Sequence, residues 1–123
     1  MSAFRAAVER GDVAAIEAAL HPDVRFFSPA VFKPYEGRDT VMGVLRHVVE
    51  VFEDFRYTDE LTGADGAHGL VFAAHVGDKE VQGWDYIKTD ADGLVTELTV
   101  MIRPLKGLIA TAEAMGARIA AAA

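Results

Sequence analysis

The sequence contains no cysteine, which removes thiolate nucleophiles, dithiol redox pairs and Cys-type zinc sites from the chemistry open to it. It also lacks any uninterrupted apolar run long enough for a signal segment or a membrane span. The opening MSAFRAAVERGD carries charges within its first turns, and Lys106, Glu113 and Arg118 break the apolar-rich stretch from Leu105 to Ala123. A cytoplasmic protein with no membrane association is therefore expected. Positive charge is scarce as well, with 12 Lys and Arg against 19 Asp and Glu and a net charge of −7. No basic cluster offsets this balance, so phosphate backbones are repelled and nucleic acid is not an expected partner. The four histidines show neither HxH nor HExxH spacing, so no metal is expected, and nothing in the sequence calls for a cofactor.

What is present is ordinary globular material, 51% apolar and 25% charged over 123 residues, enough for one core. A single domain over residues 1–123 is the expectation. Ala3 to Arg10 reads as a short helix closed by Gly11, and Asp12 caps a second from Val13 to Leu20. His21-Pro22 stops that helix, Val24 to Ser28 reads as a strand, and a loop with Pro29, Pro34 and Gly37 follows. Val41, Leu45, Val48, Val49 and Phe52 then recur at helical spacing from Asp39 to Phe52. From Phe55 the period switches to two, giving strands at about 55–62, 69–77, 79–89 and 94–103, separated by Gly- and Asp-rich turns. Links this short force antiparallel neighbours, so the second half is a four-stranded meander. A last helix begins at Pro104 with the stripe Leu105, Leu108, Ile109, Ala112, Met115 and Ile119.

Alternation divides each strand into two faces. On 79–89, Val81, Gly83, Asp85 and Ile87 oppose Gln82, Trp84, Tyr86 and Lys88; on 94–103, Leu98, Val100 and Ile102 oppose Thr99, Met101 and Arg103. On 69–77 the sets are Val71, Ala73 and His75 against Leu70, Phe72 and Ala74. Both faces are substantially apolar, and a sheet with one face in water would show a cleaner split. The chain's own helices can cover one face generously. The other is expected to meet a second copy, with Phe72, Trp84, Tyr86 and Met101 as anchors.

Two short helices, HPDVRFFSP after Gly11-Asp12, YEGRDTV opening a long helix, and then GWDYIKTDADGLVTE and MIRP in a meander form a pattern from about residue 3 to 103. It resembles the nuclear transport factor 2-like superfamily, in particular its ketosteroid isomerase and SnoaL-like polyketide cyclase branch. The resemblance implies an α+β fold: a cone-shaped, strongly curved antiparallel sheet packed by the N-terminal helices and one long helix, here with an added C-terminal helix. It also implies an apolar cavity for a small hydrophobic molecule and a homodimer through the outer sheet face. In ketosteroid isomerases the general-base aspartate precedes the proline ending the first strand, and an oxyanion-hole tyrosine lies on the first helix; those places hold Ser28 and Phe4. The family's second oxyanion-hole donor, a protonated aspartate, falls on Asp85. The water-activating set of the epoxide hydrolases meets Phe27, Pro29, Val100 and a position near Val71, and the His-Trp-Asp of the cyclases meets Leu98-Thr99-Val100.

Asp85 is thus the principal candidate for chemistry. A mid-strand carboxyl between Trp84 and Tyr86, on an apolar face, must be bonded, paired or neutral. The alternative is a structural acid tied to a loop amide or an arginine. His75 is the second candidate, a possible base near neutral pH, although a strand residue so close to the Gly77-Asp78 turn can simply reach water. The expected cavity lining is Phe4, Phe27, Ser28, Phe32, Tyr35, Phe52, Val71, Ala73, Val81, Leu98, Val100 and Ile102. Two functions stay open: a binding protein for a hydrophobic ligand, and an isomerase, cyclase or hydrolase acting on a steroid-, polyketide- or terpenoid-like substrate through Asp85.

Overall fold

The computed structural model describes residues 3–122. Helices α1 (Ala3–Arg10) and α2 (Val13–Ala18) meet at Gly11, whose φ of +62° reverses the chain, and the Asp12 carboxylate caps α2 by accepting from the Ala15 N–H at 3.0 Å. Helix α2 stops at Ala18, short of the expected Leu20. The Ala19 carbonyl accepts from the Val95 N–H, and Leu20 pairs with Val95, so the sheet captures the chain there and β1 runs Leu20–Phe27. A register shift between Leu20 and Arg25 takes His21-Pro22 out of the ladder, and the missing Pro22 N–H costs no hydrogen bond.

Strand β2 (Tyr35–Glu36) pairs antiparallel with β1, and α3 (Arg38–Val51) follows. Strands β3 (Glu53–Thr62), β4 (His68–Val76), β5 (Lys79–Thr89) and β6 (Val95–Arg103) then form the meander, and α4 (Leu105–Ala122) closes the chain. The six strands make one open, curved sheet in the order β2-β1-β6-β5-β4-β3. It is not wholly antiparallel, because β1 lies parallel to β6. That contact is reached through the whole intervening chain, beyond what local turn chemistry reports.

The register decides the faces. Leu70 pairs with Asp85 and Asp85 with Val100; Phe72 pairs with Gly83 and Gly83 with Ile102; Ile87 pairs with Leu98. These residues point to the concave side, where Ile16, Val24, Val41, Met42 and Leu45 complete a core with Leu70, Ile87 and Leu98. Phe72 therefore faces inward, not toward a second copy as expected. Val71, Ala73 and His75 pair with Trp84, Gln82 and Glu80 on the convex side, the opposite of the expected assignment. Among the described residues no helix is long and apolar enough to cross a membrane.

Candidate functional site

The concave sheet face, α1, α3 and α4 enclose a cavity of about 520 Å³. One side is aromatic: Phe52, Phe55 and Phe72 stand with ring centroids 4.9 to 6.1 Å apart, and Phe26 stacks on Tyr35 at 6.0 Å. Phe4 of α1 adds a further ring, and Leu98, Val100 and Ile102 of β6 form the aliphatic side. Asp85 lies in this wall, mid-strand, 7% exposed and flanked on its own face by Gly83 and Ile87. Its partner among the described residues is Tyr57 of β3, whose hydroxyl donates to Oδ2 at 3.0 Å.

Burial is the first influence on Asp85, pushing its carboxyl up from 3.8 to about 7, while the Tyr57 hydrogen bond acts in the opposite sense by favouring the anion. Burial, followed by the charge of Asp85, also raises Tyr57 far above the ordinary phenol range, so Tyr57 remains a neutral donor. Near neutrality Asp85 is therefore divided between acid and carboxylate. With Oδ2 held by Tyr57, its other oxygen can serve a group in the cavity, as donor when protonated and as acceptor when not. Behind Tyr57, the Arg5 guanidinium lies 5.4 Å from the ring centre and bonds Glu9 at 3.3 Å and Glu60 at 2.5 Å. The other charged side chains bordering the cavity, Glu9 and Arg10, are exposed and mark its mouth.

The expected lining residues separate cleanly. Phe4, Ser28, Tyr35, Phe52, Leu98, Val100 and Ile102 border the cavity together with Asp85. Val81 points inward but is covered by Gly107 of α4, and it does not border the void. Phe27 turns to the convex side, opposite Phe26, and Phe32 is fully exposed in the following loop; both border a shallow outer depression. Val71 and Ala73 are convex-face residues for the register reason already given. His75 is remote from Asp85: its Nε2 lies 2.7 Å from Asp54 Oδ2 and its Nδ1 3.0 Å from the Gly77 carbonyl oxygen, an edge clamp that raises its pKa chiefly through Asp54. Ser28 Oγ accepts from the Ala30 N–H at 3.0 Å, a turn-forming bond, and among the described residues no base is hydrogen-bonded to it.

Sequence reasoning missed Tyr57, the cavity rings of Phe26, Phe55 and Phe72, and the position of α4, whose stripe of Leu108, Ala112, Met115 and Ile119 borders the cavity. No group of three or more His, Asp or Glu side chains among the described residues could hold a metal ion.

The sequence matches the SnoaL-like domain family over residues 1–112. A crystal structure of a steroid delta-isomerase from Pseudomonas aeruginosa is 42% identical, with a TM-score of 0.92 over 96% of this chain and 87% of that one. An uncharacterized protein with a cystatin-like fold from Silicibacter pomeroyi is 38% identical, with a TM-score of 0.88 over 94% and 82%. The epoxide hydrolase/cyclase-like enzyme SalBIII, which acts in pyran ring formation in the polyether salinomycin, shares the fold at 18% identity, with a TM-score of 0.70 over 85% and 87%. No curated protein matches the sequence.

Proposed function

This chain belongs to the SnoaL-like domain family, and we propose that its cavity binds a neutral, apolar, ring-bearing molecule whose oxygen bonds Asp85, which then acts on it as an acid. The observation that carries this reading is a nearly buried carboxyl, with a pKa of about 7, in the wall of a 520 Å³ apolar cavity. A carboxyl poised near the working pH is matched to proton donation, and a dry site strengthens any bond it makes to an oxygen that gains negative charge. The 42% identity to a protein described as a steroid delta-isomerase supports a substrate of fused rings and an isomerase-type activity.

The site also limits the chemistry. Moving a proton between two carbons requires a base as well as an acid. Here the place before Pro29 is Ser28, to which no base among the described residues is hydrogen-bonded, and His75 is on the far face. Asp85 must then serve alone, as acid toward an oxygen or, in its ionised fraction, as base. A single poised carboxyl suits a cyclisation in which the substrate carries its own hydroxyl nucleophile: the acid gives its proton to the oxygen that leaves carbon, and the carboxylate so formed takes up, directly or through water, the proton the attacking hydroxyl loses.

The test is calorimetric titration of the protein with naphthol and estradiol, beside turnover assays on β,γ-unsaturated ketosteroids and on epoxides bearing an internal hydroxyl. Binding of both aromatic alcohols, weakened by Asp85→Leu, together with turnover abolished by the same substitution, is the expected result. A protein that binds neither probe contradicts the ligand reading. Binding with turnover unchanged in Asp85→Leu contradicts the role given to the acid.

A further inference from the structure

We infer that the far half of α4 is the specificity wall of this cavity: Gly116, with Ala112 and Met115, limits how far a ligand anchored at Asp85 can extend toward the mouth. This rests on the reading of the cavity as a ligand site and names the element that selects ligand length.

The two glycines of α4 differ in the reason for their missing side chains. A Cβ on Gly107 would come within 2.6 Å of Val81 Cγ1 and 2.8 Å of the Glu80 carbonyl oxygen, so close packing on β5 requires glycine there. A Cβ on Gly116 would meet nothing within 4 Å. Glycine in a helix interior is less favourable than alanine, and no neighbour accounts for that cost at Gly116. What lies beside it is the cavity, whose rim it forms together with exposed Glu9, Arg10 and Gly11 on the α1 side.

The helix also divides mechanically. Its near half is seated: Gly107 and Thr111 are buried, and the Thr111 hydroxyl donates to the Gly107 carbonyl at 2.8 Å. Beyond Thr111 no described residue of α4 is buried, and the Arg118 guanidinium reaches Glu50 of α3 at 2.7 Å. From Leu108 to Ile119 the lining stripe rises about 16 Å at 1.5 Å per residue, long enough to run beside a molecule of several fused rings. The match to the family stops at residue 112. The steroid delta-isomerase structure covers 96% of this chain, so at least part of α4 beyond that residue is shared with it.

The experiment compares wild type, Gly116→Leu and Ala112→Leu by calorimetric titration with naphthol, which has two rings, and estradiol, which has four, after a thermal melt establishes that each variant is folded. Filling the rim should weaken estradiol about tenfold or more while naphthol stays within about twofold, the size of effect that added methylenes produce in an apolar site. Equal weakening of both probes, or no change in either, overturns the wall. Should Gly116→Leu fail to fold, the same comparison on Ala112→Leu decides. Wild-type protein that binds neither probe instead overturns the ligand reading beneath it, so the two failures are distinct.

Discussion

Replacing Asp85 by Asn isolates the energetic signature of a buried acid, because the amide keeps the shape and an oxygen for the Tyr57 hydroxyl but cannot ionise. In the wild type the folded pKa, about 7, exceeds the unfolded value of 3.8. Between those values the native state holds more protons than the unfolded chain, so stability must fall as pH rises, by about 1.4 kcal/mol per unit. The contribution is fully present below 3.8 and is gone once pH has risen through about 7. From pH 5 to pH 8 the loss is therefore roughly 2–3 kcal/mol, a large share of the roughly 5–15 kcal/mol by which a domain is usually stable. His75 is raised by Asp54 and contributes with the same sign in a neighbouring window, but it is untouched by the substitution and cancels in the difference.

Urea unfolding followed by far-ultraviolet circular dichroism at pH 5, 6, 7 and 8, for wild type and Asp85→Asn, reads this directly. The wild-type curve should decline toward pH 8 more steeply than the variant's, and the variant should match or exceed wild type at pH 8, where the wild type holds a charged, desolvated carboxylate. Parallel pH profiles would refute the reasoning, since they would mean that Asp85 titrates alike in the folded and unfolded chains.

Tyr57→Phe removes the side-chain hydrogen bond that favours the Asp85 anion. The decline in stability should then move to higher pH, visible in urea titrations against wild type. Gly83→Ala drives a methyl into Phe72 Cζ, a clash that costs roughly 1–3 kcal/mol as overpacking and can be read from the urea midpoint. His75→Gln removes a group whose protonation is favoured by Asp54 in the folded state. The stability His75 supplies is present below its ordinary value of 6.5 and lost as pH rises through its raised folded value, so the variant should show a flatter profile near neutrality, with little change above it.

The meander was legible because its turns carry local chemistry: Asp90 accepts from the Asp92 and Leu94 N–H groups, and positive φ falls on Gly66, Gly77 and Gly93. The inward direction of Asp85 was legible because β5 keeps strict alternation along its pairing with β4. The face of β4 was equally determined and was misread. The two-residue turn at Gly77-Asp78 pairs Val76 with Lys79, so even-numbered residues of β4 share a face with odd-numbered residues of β5. That puts Phe72 with Asp85 and sends His75 outward. Tyr57 was hidden for a different reason. Register shifts between Glu53 and Arg56 and between Tyr57 and Asp59, with Asp54 at φ +53°, break the period of two on which a face assignment depends. The start of β1 was hidden because Leu20 is recruited by Val95, far along the chain.

Gly83 shows how the acid acquires its surroundings. Phe72 sits directly across from it and lies over the space its Cβ would fill, so the ring spreads along the sheet and does not project straight into the void. On the other face the same device recurs, with the Trp84 ring over Gly69. A side chain at position 83 would lift Phe72 off the sheet and into the cavity on the side where Asp85, two residues along β5, presents its carboxyl. The volume beside the acid is therefore set by a glycine on its own strand. If Gly83→Ala stays folded, it should weaken estradiol and naphthol together, since it narrows the anchored end, whereas Gly116→Leu should weaken only the longer probe. The contrast between the two glycines separates the end of the cavity that holds an oxygen from the end that measures length.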